Sequence, residues 1–290
     1  MKFWLCLNFE PPESLLGHAR NAEALGFEGV VLPEHVVVKE GERTPHPNGY
    51  PLKAHELFLD PFLAFAAMAA VTTRLRFLNG VYVVPLRDPF ALAKQAGSLA
   101  VMSNDRFVLG TGVGWLKEEF DTMGRDFATR GRRMDEMLAI LRDFWDDGYA
   151  EFHGEHFDFS RSGMFPVPRR PIPIWIGGHS MAAARRAANY DGYMPMRAVT
   201  DPMAPLNETS RAEFALIDEL RSARGHTGPF ARMVSAFGVK DPGMARKLEE
   251  ADGITDLLIT PWTMSDYTQS FEEKRSLTAQ FAERMIHHPA

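Results

Sequence analysis

The chain of 290 residues is poor in cysteine: Cys6 is the only one. One thiol cannot close an intramolecular disulfide, and a four-cysteine zinc site is excluded. Basic residues are in deficit, 32 Lys and Arg against 38 Asp and Glu, for a formal net charge of -6. That balance argues against broad nucleic-acid binding, which needs cations to neutralise phosphates. No apolar run reaches the roughly 20 residues of a membrane-spanning helix. The segment Met1 to Glu10 is too short and too soon acidic for a secretory signal, so a cytoplasmic protein is expected. There is no Gly-x-Ser-x-Gly elbow, and Cys6 lies in a strand-like run without an adjacent base. Leu7-Asn8-Phe9 stands where a metal-dependent barrel hydrolase would carry paired histidines, and His46 and His55 lack ligand spacing, so no metal is expected.

What is present is an alternation. Apolar residues make up 45% and charged residues 24%, globular proportions. Short β-branched or aromatic runs are each followed by a helical pattern. The runs are Phe3–Phe9, Glu28–Leu32, Leu75–Val84, Arg106–Gly110, Ile172–Ile176, Asp191–Met194, Met233–Val239 and Asp256–Thr260. Asp60-Pro61 and Asp88-Pro89 open helices, with proline in the first turn where its missing N–H costs nothing. Ser265 to His287 reads as the closing helix. Eight β/α repeats without a linker predict one (β/α)8 TIM-barrel domain over residues 1–290. The competing doubly wound sheet would usually carry a nucleotide fingerprint at its first turn, and Asn8-Phe9-Glu10-Pro11-Pro12 lacks one. Two insertions stand out: Pro33–Leu59 after strand two, and Asp147–Pro171 before strand five, which contains a hairpin pattern. The first leaves a strand's C-terminal end, the face on which barrel active sites sit.

Four motifs are candidates for chemistry. Glu34-His35 follows strand two, where an imidazole can donate a hydrogen bond or move a proton near neutrality. Asn79-Gly80-Val81 places a glycine inside strand three, which marks a bulge, a close backbone approach or mere tolerance of a small residue. Gly112-Val113-Gly114 follows strand four; its spacing is neither Gly-x-Gly-x-x-Gly nor a P-loop, and bare backbone there would admit a flat ring. Gly177-Gly178-His179-Ser180 leads into an alanine-rich helix, a ready anion site with Arg185, Arg186 and Arg197 as possible charge partners. Phe9, Tyr50, Phe58, Trp115 and Trp262 are candidates for an apolar pocket.

Taken in order, Gly26-Phe27-Glu28-Gly29-Val30-Val31-Leu32-Pro33-Glu34-His35, Pro85-Leu86-Arg87-Asp88-Pro89, Gly112-Val113-Gly114-Trp115-Leu116-Lys117-Glu118-Glu119-Phe120 and Trp175-Ile176-Gly177-Gly178-His179-Ser180 resemble the bacterial luciferase-like superfamily of flavin monooxygenases and deazaflavin oxidoreductases. The Gly-Val-Gly-Trp-Leu and Trp-Ile-Gly-Gly-His-Ser runs are similar to the subgroup assigned to coenzyme F420. The resemblance implies a barrel with the cofactor at the strand C-termini and His35 at the ring's reactive centre. It implies a non-proline cis peptide behind the ring, in Asn79-Gly80-Val81 and specifically at Gly80-Val81. Gly112, Val113 and Gly114 would border the ring, and Gly177, Gly178, His179 and Ser180 would hold the phosphate. Glu34 would contribute beside His35, although the family more commonly has Asp there. The implied activity is hydride transfer between F420 and a small organic substrate, in a homodimer. The rival readings are an FMN-dependent monooxygenase that activates oxygen and a non-catalytic flavin-binding protein.

Overall fold

A computed structural model describes residues 1–41, 43–47, 49–50, 52–195, 206–237, 241–262 and 268–287. The elements run β1 (Lys2–Cys6), α1 (Pro12–Ala24), β2 (Gly29–Leu32), α2 (Pro61–Ala69), β3 (Arg76–Asn79), β4 (Tyr82–Val83), α3 (Pro89–Met102), β5 (Phe107–Gly112), α4 (Lys117–Thr122) and α5 (Arg130–Asp146). Then come β6 (Tyr149–His153), β7 (Asp158–Gly163), β8 (Ile174–Gly178), α6 (Met181–Ala187), β9 (Gly192–Pro195), α7 (Glu208–Ala223), β10 (Ala231–Ser235), α8 (Pro242–Asp252), β11 (Asp256–Ile259) and α9 (Phe271–Ala282). The strand order is β3-β2-β1-β11-β10-β9-β8-β5, all parallel, and β3 pairs with β5 to close the ring. This is a closed eight-stranded parallel barrel with helices between the strands, the (β/α)8 architecture expected.

Alternation along each strand builds two cores. Inward residues from all eight barrel strands, Trp4 and Cys6 with Val31, Leu78, Val108, Trp175, Met194, Met233 and Leu258, fill the interior. Outward residues such as Leu5, Val30, Phe77 and Leu109 pack under the helices. The interior is a packed core and not a channel, so the strand ends are left to carry function. Most described helices start as the sequence dictates. Asp60 accepts from Phe62 N and Leu63 N, Asp88 from Ala91 N, and Ser270 forms a reciprocal capping box with Glu273. Among the described residues no helix is long and apolar enough to cross a membrane.

Three boundaries differ from expectation. The first strand ends at Cys6, because Asn8 and Phe9 turn away and Phe9 takes φ +59°. The strand read as Leu75–Val84 is divided into β3 and β4 at Gly80–Val81, whose peptide is cis. The last helix has its cap at Ser270, while Ser265 lies outside the described residues, as do Arg197 and Val239. Both insertions are in place. The described part of Pro33–Leu59 holds no helix or strand. In the second insertion β6 and β7 form the expected hairpin, fixed to α5 where Glu136 accepts from the backbone N–H groups of Glu155, His156 and Phe157.

Candidate functional site

Histidine 35 lies just past the C-terminal end of β2, its side chain 10% exposed. Its Nδ1 is 2.9 Å from Glu119 Oε2. The other oxygen of Glu119 accepts from Val36 N at 2.6 Å and Val37 N at 3.4 Å. Glu119 comes from α4, is 1% exposed, and therefore fixes both the imidazole and the backbone that carries it. A carboxylate on Nδ1 makes that nitrogen the donor in the neutral ring and leaves Nε2 as the nitrogen that faces a ligand. Next to it, Glu118 accepts from Thr44 N at 3.0 Å and Thr44 Oγ1 at 3.2 Å. Two successive carboxylates on one short helix thus hold the strand-two insertion at two points.

Aromatic rings surround the imidazole. His35 meets Phe58 edge-on at 5.1 Å and Trp115 at 5.7 Å. His46 lies 4.9 Å from Trp115 and 5.9 Å from Tyr50, and Phe9 stacks on Tyr50 at 5.8 Å and meets Phe58 at 5.3 Å. Four of the five pocket aromatics expected are therefore together. Trp262 is not among them: it stacks on His18 at 5.5 Å beneath the start of α9. Burial, and then the nearby His35 and His179, push the His46 imidazole below its usual range. His46 thus lies within electrostatic reach of both His35 and His179, although their motifs are far apart in the chain.

The floor of the mouth is Val81. Its Cγ1 would be 2.3 Å from a Cβ on Gly177 and its Cγ2 3.0 Å from one on Gly112. Gly114 takes φ +82°, and a Cβ there would be 2.7 Å from both Phe120 and Val83. These glycines therefore answer first to the protein's own side chains, which is a different cause from the bare approach surface inferred from sequence. Val113 is half-buried between them. Gly80 likewise has no room for a side chain against Val31, 2.4 Å away. Asn79 is fully buried, and both its Oδ1 and Nδ2 lack a partner. Buried amides are almost always hydrogen-bonded, so an orphan beside the mouth is a group held for a ligand or at a standing cost.

At the end of β8, Gly178 takes φ +152°, and a Cβ would lie 2.7 Å from Ala183. Ser180 caps α6, its Oγ accepting from Ala183 N at 3.2 Å. His179 is half-buried and Met181 and Ala182 are exposed. Arg186 is not their charge partner: its Nε and Nη2 pair with Asp135 at 2.5 and 3.0 Å. Arg185 is exposed. Glu34 is engaged too, accepting from Val83 N at 2.8 Å and pairing with Arg87. It ties the end of strand two to β4 and the turn after it. Cys6 is buried beneath Asn8, and burial pushes its thiol up to about 12, consistent with a core residue.

The family model described as luciferase-like monooxygenase matches residues 3–289. A Mycobacterium tuberculosis protein, the uncharacterised Rv0940c, is 37% identical over 276 residues, covering 92% of this chain and 93% of that one. The monooxygenase RslO1 from Streptomyces bottropensis superposes with a TM-score of 0.80 at 20% identity, over 100% of both chains. A coenzyme F420 dependent tetrahydromethanopterin reductase from Methanopyrus kandleri superposes at 0.73 with 14% identity, over 100% of this chain and 99% of the other. At those identities the structures speak for the fold. The extent of the family match shows that the chain belongs to the luciferase-like monooxygenase family.

Proposed function

We propose that this member of the luciferase-like family is an oxidoreductase that transfers a hydride between coenzyme F420 and a small organic substrate. The observation that carries the reading is the imidazole of His35, fixed on Nδ1 by a buried carboxylate and open on Nε2 within a ring of aromatic side chains. The bound deazaflavin supplies the hydride donor or acceptor. The residues present fit such a group. Val81 gives a flat apolar floor, the orphaned amide of Asn79 gives donors and an acceptor beside it, and the Ser180-capped turn after Gly177, Gly178 and His179 suits an anionic tail. Gly112, Val113 and Gly114 border the ring. His35 holds or moves a proton at Nε2 as the substrate is oxidised or reduced, and Glu119 keeps the ring turned toward it. Phe58 and Trp115 exclude water from that nitrogen. The working unit proposed is a cytoplasmic homodimer, which sedimentation of the purified chain tests.

The family's description also supports a monooxygenase, here with FMN as the cofactor, and the same residues would serve it. Titrating the purified chain with F420 and with FMN, oxidised and reduced, separates the two. Micromolar FMN binding without F420 binding overturns the deazaflavin assignment. Oxygen uptake with the reduced cofactor then identifies monooxygenase chemistry.

A further inference from the structure

Ring side chains at the C-terminal mouth form a closed circuit. His35 meets Phe58 at 5.1 Å, Phe58 meets Phe9 at 5.3 Å, and Phe9 meets Tyr50 at 5.8 Å. Tyr50 meets His46 at 5.9 Å, His46 meets Trp115 at 4.9 Å, and Trp115 returns to His35 at 5.7 Å. The rings come from the segments after β1, β2 and β5 and from the strand-two insertion, which Glu118 holds through Thr44, just before His46. Within the circuit each ring meets only its neighbours on either side, whereas a collapsed cluster would also bring opposite rings together. All of them are half-buried, neither sealed in the core nor free in solvent. The circuit is therefore a collar around an opening. The exposed Val36, Val37 and Leu57, beside His35 and Phe58 in the chain, add apolar surface next to it.

We infer that this collar takes the body of the substrate, and that the substrate is an uncharged, flat aromatic or conjugated ring. This rests on the reading of His35 as the reacting centre and deepens it, because His35 is itself a member of the collar. The radius of a regular hexagon equals its side. Neighbouring centroids 4.9–5.9 Å apart therefore put the middle of the collar about 5–6 Å from each ring. Aromatic pairs attract at centroid separations of about 4.5–7 Å, so one planar ring in the middle is within reach of all of them. Phe9 and Tyr50 are stacked at 14°, and the other contacts are edge-on at 74–87°. Such a collar offers both ring edges and ring faces. A planar π-system has the complementary quadrupole, which a saturated ring lacks. The carboxylates beside the collar are already engaged. Glu119 serves His35, Val36 N and Val37 N, and Glu118 serves Thr44. Glu10, next to Phe9, accepts from Lys274 Nζ at 2.7 Å and lies 3.1 Å from His18 Nε2. A cationic ligand would find no free counter-charge. An anion would depend on His46, which burial and the neighbouring imidazoles hold toward its neutral form. An unmatched buried charge is costly. Val81, Gly112 and Gly177 are not part of the collar, which leaves that floor to the cofactor.

The test is fluorine NMR on the whole chain carrying fluorotryptophan, titrated with phenol, cyclohexanol, benzoate and benzylammonium. Trp115 is the built-in reporter: it is half-buried, while Trp4, Trp145, Trp175 and Trp262 are buried. Phenol is expected to shift the Trp115 signal and leave the other tryptophans in place. It should bind at least fivefold more tightly than cyclohexanol and at least tenfold more tightly than either ion. Tyr50→Leu breaks the collar and should weaken phenol binding at least fivefold. Tyr50→Phe keeps the ring and should stay within twofold of the parent. No phenol binding, equal binding of cyclohexanol or of an ion, a shift at a buried tryptophan in place of Trp115, or unchanged binding in Tyr50→Leu each overturns the inference. So does phenol binding that saturating F420 or FMN abolishes, since the collar would then belong to the cofactor. Because the titration itself needs no cofactor, failure of hydride transfer would remove the reading of His35 and leave this selectivity standing. Failure of the selectivity alone removes the collar as the substrate's compartment.

Discussion

The two ends of the barrel treat their polar groups in opposite ways. At the N-terminal end of the strands, two buried charged side chains are satisfied by the protein itself. Arg106 gives Nε to Ser103 O, Nη1 to Thr72 Oγ1 and Leu75 O, and Nη2 to Ala69 O, all between 2.6 and 2.9 Å. Asp256 accepts from Trp4 Nε1 at 2.7 Å and from Thr255 at 2.5 Å. At the C-terminal end the fully buried amide of Asn79 has no partner and His35 is fixed by one nitrogen only. The closed end is built for stability, and the mouth keeps polar groups in reserve for something the chain alone does not contain.

If that division is real, substitutions at the two ends must fail differently. The largest effect expected is at the mouth. His35→Ala should lower turnover about 10²–10³-fold, the range of a lost acid–base group, while cofactor affinity moves by no more than a few-fold. Steady-state kinetics beside a cofactor titration would read both, and unchanged turnover would make His35 structural. At the closed end, Arg106→Met strands three backbone carbonyls and should destabilise the fold by about 2–4 kcal/mol. Turnover below the melting range should stay within about twofold, since nothing near the mouth moves. Denaturant unfolding and kinetics on one preparation test the pair.

Asn79→Leu sharpens the contrast further, because here the two properties should move in opposite directions. Replacing an unpartnered buried amide with an apolar side chain of similar shape should stabilise the free chain by about 1–2 kcal/mol. It should also weaken cofactor binding. A chain that becomes less stable, or that binds as before, would show that Asn79 already has its partner within the protein.

How much of this was legible in the sequence follows from the same division. Strand and helix periods, the Asp-Pro and Ser caps and both insertions are local signals, so the barrel and the position of His35 could be read directly. The pairings that give the site its character are not local. His35 and Glu119 are 84 residues apart, Glu34 and Arg87 53, and Glu10 and Lys274 264. The first two depend on β2, β3 and β5 lying side by side, and the last on closure of the ring, which sets β1 against β11. Glu119 sits between Leu116 and Phe120 in the most specific motif, and its apolar setting was the available sign that it faces inward. The reason for the glycines was hidden in a related way. Bare backbone looks the same in sequence whether a ligand or Val81 fills the space.

The smallest expected effect concerns acid. His46, with its imidazole pushed down by burial and by His35 and His179, binds fewer protons folded than unfolded. Its share of stability is therefore fully present above the unfolded value near 6.5 and is lost as pH falls through the lowered folded value. At the closed end burial raises the Asp256 carboxyl, so the folded chain binds more protons there. That contribution runs the other way: it is present in acid and is lost as pH rises through the raised folded value. Moderate acid should thus loosen the mouth while leaving the closed end intact. His46→Phe removes the first effect and keeps a ring against Trp115 and Tyr50. The drop in Tm between pH 7 and pH 5 should shrink by about 1–2 °C in the variant. A drop as large as the parent's would place the acid sensitivity outside the mouth and remove one leg of the contrast between the two ends.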